Sequence, residues 1–144
     1  MQLAPIVARI STVAALNDRV QLAPTIDEAV TTLLGKTPPA VPMAVLTGAR
    51  EKAAPSQRIA AAPALHQVTC SFVVAICMRY SGNAMQAADA LDAIVRSVRD
   101  VLIGWIPTGC DRQCYYQGGQ LLPSNPGTLI WADSFDTTYL EDAL

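Results

Sequence analysis

Charge is what this sequence has least of. Asp, Glu, Lys and Arg make up 15% of its 144 residues, against about 25% in an ordinary soluble domain. Histidine occurs once, as His66. A sole imidazole serves as a general base only beside an acid and a nucleophile, and the sequence names neither; a polar strand end is the simpler place for it. No dinucleotide fingerprint, phosphate-binding loop or nucleophile elbow occurs, so no catalytic residue and no cofactor are expected. Aromatic residues are only 6% and do not interleave with the sparse basic residues, as a base-stacking surface would require. No run approaches the roughly 18–20 apolar residues of a membrane helix. The opening Met1-Gln2-Leu3-Ala4-Pro5 lacks a basic region ahead of an apolar one, so no secretory signal and an intracellular site of synthesis are expected.

Cysteine is present 4 times, but not as a metal-binding framework. Only Cys110-x3-Cys114 resembles a zinc knuckle. Cys70 and Cys77 lie an odd number of positions apart on a strand, point to opposite faces and do not ligate one ion together. Buried free thiols are the default for these two. Cys110 and Cys114 could bridge within or between chains in an oxidising compartment.

What the sequence has in excess is apolar surface. Hydrophobic residues reach 51%, and 8 glycines add to them, above the share usual for a soluble domain counted that way. Part of that surface is expected to be buried by other chains; an alanine-rich exterior would explain the same figure. The length suits one domain, residues 1–144.

Read in order, the chain predicts a helix over 3–16 with Pro5 in its opening turn and a short extended piece at 19–23. The capping box Thr25-Ile26-Asp27-Glu28 opens a second helix that Gly35 closes. A strand over 40–47 follows, with Val41, Met43 and Val45 on one face. The stretch 48–65 shows no pattern and reads as a long loop suited to ordering on assembly. Residues 66–79 carry Val68, Cys70, Phe72, Val74, Ile76 and Met78 on one face and Gln67, Thr69, Ser71 and Arg79 on the other, whose middle is apolar too through Val73, Ala75 and Cys77, which predicts a strand covered twice. A long helix over 85–104 has Ala88, Leu91, Val95, Val98 and Leu102 as its core stripe, with Gln86, Asp89, Asp92, Arg96 and Arg99 outside. The fold class implied is α+β, a mostly antiparallel or mixed sheet of about four to five strands with helices packed on one face.

The charges are unevenly spread. Arg50, Lys52 and Arg58 surround a single Glu51, whereas from Asp111 onward Arg112 alone faces Asp111, Asp133, Asp136, Glu141 and Asp142. A basic middle and an acidic tail could meet across neighbouring copies in a head-to-tail ring, or both could simply be solvated.

The last third carries the strongest local pattern. Tyr115-Tyr116-Gln117-Gly118-Gly119-Gln120-Leu121-Leu122 and Leu129-Ile130-Trp131-Ala132-Asp133-Ser134-Phe135 read as two strands, joined by a turn at Pro123-Ser124-Asn125-Pro126-Gly127. The paired glycines mark a bulge or a close backbone approach. Trp105, Tyr116, Trp131 and Phe135, with Gly118 and Gly119, are the candidate structural anchors.

Together with Leu3-Ala4-Pro5-Ile6-Val7-Ala8-Arg9-Ile10, Val41-Pro42-Met43-Ala44-Val45-Leu46 and Val101-Leu102-Ile103-Gly104-Trp105-Ile106-Pro107, this block resembles the tail terminator (tail-completion) family of tailed bacteriophages. The resemblance runs through most of the chain. The cysteines around Asp111 depart from the pattern. The resemblance implies a non-enzymatic virion subunit at the junction of phage tail and head. It implies a homo-oligomeric ring, a hexamer, that caps the tail tube protein and offers a surface to the head–tail connector protein. In that setting 48–65, with Arg50, Lys52 and Arg58, becomes the candidate interface or channel loop, where DNA could pass without sequence reading. Another virion joining subunit, such as a head-completion or minor tail protein, shares these features; a small enzyme or ligand-binding module fits them less well.

Overall fold

The computed structural model describes residues 2–28, 41–54, 64–124 and 126–143. One five-stranded mixed sheet organises them, in the order β1-β2-β3-β5-β4. The strands are β1 (Val20–Leu22), β2 (Met43–Ala53), β3 (Ala64–Arg79), β4 (Tyr115–Leu121) and β5 (Thr128–Ala143). β1 joins β2 in parallel, and the other three pairings are antiparallel. The helices are α1 (Ala4–Ile10) and α2 (Ala84–Leu102), with a single 3-10 turn at Ala14–Leu16. The α+β class is as the sequence implies.

Alternation along β3 divides the core. Phe72, Val74, Ile76 and Met78 face α1 and α2, where Ile6, Ile10, Leu91, Val95, Val98 and Leu102 close over them. Ala75 and Cys77 face the other way and pack with Met43, Val45, Ile130 and Ala132. Both helices thus lie on one face, while Ile26, from the helical turn at 26–28, packs on the second cluster. The Thr25 hydroxyl accepts the Glu28 N–H at 3.3 Å, half of the expected capping box; the rest of that helix lies outside the described residues.

Three boundaries differ from the sequence reading. The first helix stops at Ile10, because the Ser11 and Thr12 hydroxyls donate back to the Val7 and Arg9 carbonyls and compete with helix propagation. It resumes as the 3-10 turn, which still buries Val13 and Leu16. In α2 the buried stripe begins at Ala87, not Ala88; its N-terminus is capped by Asn83, whose side chain accepts the Met85 N–H at 2.9 Å. The largest correction concerns 48–65. β2 continues through Gly48 (φ 68) in a bulge and pairs again from Arg50↔Ser71 to Ala53↔Val68, while Ala64 and Leu65 already belong to β3. Glycine and a charged triplet looked like loop chemistry, but glycine in the left-handed region is what a bulge of this kind uses. Residues 55–63, with Arg58, lie outside the described residues.

Candidate functional site

On the helix-facing side of β5, alternate residues Trp131, Asp133 and Phe135 come up toward α2. β4 lies beside them in the register Tyr116↔Phe135, Gly119↔Asp133 and Leu121↔Trp131, with Gln117 as the extra residue of a bulge. The bulge needs Gly118, whose φ of 136 is open to glycine and strained for other residues.

Asp133 is 2% exposed, and a carboxylate so placed must be paired. Arg99 descends from α2 and donates from Nε to Asp133 Oδ2 at 2.7 Å and from Nη2 to Oδ1 at 3.0 Å. Oδ1 also accepts the Trp131 indole N–H at 2.7 Å and the Tyr116 hydroxyl at 3.3 Å. The same Nη2 also donates to the Tyr116 oxygen at 2.8 Å, and the guanidinium stacks 4.5 Å above the Tyr116 ring. The hydrogen bond to Asp133 raises the Arg99 pKa, and burial followed by the Asp133 charge raises that of the Tyr116 phenol. Gly119 makes the cluster possible. A Cβ there would collide with Asp133 Oδ1 and stand 2.8 Å from Trp131 Nε1 and 2.9 Å from the Tyr116 oxygen. Phe135 anchors the base of the cluster, stacked on Phe72 at 5.5 Å and tilted against Tyr116 at 5.8 Å.

Five of the six sequence-derived anchors therefore converge. The sixth, Trp105, sits apart at the end of α2 under the Arg9 guanidinium, 5.4 Å from its ring, where Arg9 Nε also donates to the Val101 carbonyl at 2.7 Å. Sequence reasoning missed Arg99 and Asp133. Arg99 counts to the outside of an ideal helix, and Asp133 looked like part of an exposed acidic tail. The available signal was parity, since Asp133 shares a strand face with Trp131 and Phe135. Both Asp133 oxygens and the Tyr116 and Trp131 donors are taken up within the cluster, and among the described residues no buried polar side-chain atom lacks a partner and no three His, Cys, Asp or Glu side chains converge as a metal site. The cluster holds the edge strand β4 to the helix above it.

The basic middle and the acidic end are not far apart. Arg50, Ser71 and Asp136 form one row across β2, β3 and β5, and Arg50 and Lys52 stand exposed on the face away from the helices. The two sheet ends are apolar in different ways. At one, Leu22 is 54% exposed beside a hollow of about 260 Å³ lined by Leu3, Ala23, Pro24 and Leu46. At the other, Leu121 is 57% exposed beside a hollow of about 270 Å³ walled by Leu91, Val95, Leu129 and Trp131, and Tyr115, at the far end of β4, is 45% exposed.

All four cysteines are free. Burial pushes the Cys70 thiol up to about 11 and those of Cys77 and Cys114 up to about 12. Since the thiolate is the reactive form, an alkylating reagent at pH 8 is expected to label Cys110 alone in the folded protein and all four after denaturation. Peptide mass mapping checks this, and rapid native labelling of Cys70, Cys77 or Cys114 would contradict the packing described.

Compared with known proteins, the family described as Phage tail terminator protein matches residues 1–142. No curated protein matches. Among solved structures, a chain of the "Virion of native gene transfer agent (GTA) particle" aligns with a TM-score of 0.50 at 17% identity, covering 96% of this chain and 86% of that one. At that identity the likeness is one of fold.

Proposed function

The chain belongs to the phage tail terminator family, whose members are structural proteins of the phage tail and virion, and from that premise we propose that it ends the tail tube as a ring of identical subunits, a hexamer. The ring stops addition of tube protein on one axial side and seats the head–tail connector protein on the other. The observation that carries this reading is the inequality of the two sheet ends, Leu22 with its hollow at one and Leu121 with Tyr115 at the other. A ring built head to tail needs two different patches that bury each other, whereas a two-fold dimer needs one self-complementary patch. With a net charge of −2, any contact with DNA passing through the ring is local and sequence-independent.

Two measurements test the proposal. The native mass of the purified protein is expected at six chains in a concentration-dependent equilibrium. In phage lacking the protein, negative-stain images are expected to show headless tails with tubes of uneven length. Uniform tails joined to heads in its absence would refute the capping role.

A further inference from the structure

The outer edge of β4 carries no strand among the described residues. Natural sheets guard an exposed edge with charge, proline or extreme shortness, because its N–H and C=O groups invite another strand. β4 is seven residues, YYQGGQL, with neither a charged residue nor a proline, and all but one of them are exposed. Across the sheet, β1 covers β2 only from Ala44 to Leu46, so among the described residues the outer side of β2 beyond Leu46 carries no strand. That segment, unlike β4, is charged with Arg50, Glu51 and Lys52.

We propose that β4 of one copy pairs with the outer edge of β2 beyond Leu46 in the next, so that the sheet runs on from subunit to subunit; this rests on the ring reading above and names its joint. Strand polarity supports it. β1 and β2 run together, β3 opposes them, β5 runs with them and β4 opposes β5. β4 and β2 are therefore antiparallel. Rotation about an axis along the strands preserves direction, so copies in such a ring meet β4 to β2 as an antiparallel ladder, the stronger of the two pairings. The heights agree over a short ladder, since in the level register Tyr115 to Gly118 stand opposite a neighbour's Thr47 to Arg50, the stretch of β2 just past β1. Charge agrees as well. Tyr115, Asp136, Ser71 and Arg50 share one row of the sheet, so a neighbour's Arg50 and Lys52 arrive at the end of β4 where exposed Asp111 and half-buried Asp136 stand, with Arg112 the one base among them.

A charge swap tests the joint in the full-length protein. Arg50→Glu with Lys52→Glu, and separately Asp111→Lys with Asp136→Lys, are each expected to weaken association on the order of tenfold per joint; all four changes together restore it. Tyr115→Lys with Gln120→Lys adds charge to the edge without touching Arg99 or Asp133, and is expected to give single subunits with unchanged far-ultraviolet circular dichroism. In the wild-type oligomer the outward amides of β4 are expected to exchange with deuterium more slowly than in the dilute single subunit. A wild-type ring that survives the edge lysines with rapidly exchanging β4 amides overturns this joint and leaves the ring reading standing. A wild type that stays a single subunit at every concentration overturns both. A two-chain species whose charge-reversed halves do not rescue each other overturns the joint in favour of β4 meeting β4.

Discussion

Gly119→Ala is expected to destabilise the protein by about 3 kcal/mol, more than most single substitutions. The added methyl meets no flexible neighbour. It falls on Asp133 Oδ1, with the Trp131 and Tyr116 partners of that oxygen close behind. Accommodating it means moving a buried carboxylate off three donors at once, and each charged hydrogen bond lost in a dry setting costs about 1.5–3 kcal/mol. Gly118→Ala is the control. Gly118 has φ 136, but nothing lies within 4 Å of the place a Cβ would take there, so only backbone strain applies, at about 1–2 kcal/mol. Urea unfolding with an unchanged slope reads both, and equal costs at the two positions would show that collision with Asp133 is not what reserves Gly119.

The second large effect concerns Arg99. Its side chain keeps 24% of its exposure while that of Asp133 keeps 3%, so the arginine can regain water on losing its partner and the aspartate cannot. Arg99→Ala is expected to cost about 3 kcal/mol by stranding a buried charge. It also removes the guanidinium from the Tyr116 ring and loosens β4 at its exposed edge. Tyr116→Phe removes the hydroxyl that donates to Asp133 and accepts from Arg99 but leaves the two charges paired, and is expected to cost about 1.5 kcal/mol, half as much. Combining Arg99→Ala with Gly119→Ala should cost clearly less than their sum, because the groups act as one cluster; full additivity, read from chemical denaturation of the four proteins, would mean they are independent.

Legibility in the sequence followed the physics of each element. β3 could be read over 66–79 because an apolar residue at every second position from Val68 to Met78 has no helical equivalent, and its doubly apolar centre correctly implied cover on both faces. The pairing of β4 with β5 followed from the turn chemistry between them. β2 was cut short because a lone glycine before Arg-Glu-Lys is locally indistinguishable from a loop; only the partner strand reveals that pairing resumes after the bulge. The helix-edge position of Arg99 is a tertiary fact, set by an acid 34 residues away. Asp133 itself was detectable, since an acid between in-facing Trp131 and Phe135 demands a cation, and the neighbouring Gly118-Gly119 pair marks where the backbone must come close.

β3 and β5 are each sixteen residues long, about 53 Å of extended backbone, whereas the nineteen residues of α2 cover about 28 Å. The sheet outruns its helical roof almost twofold. In the ring inferred above, with strands along the axis, a single pair of covalent backbones then reaches from the tube-side rim to the connector-side rim. Strain applied at either rim travels to the other without crossing a subunit boundary.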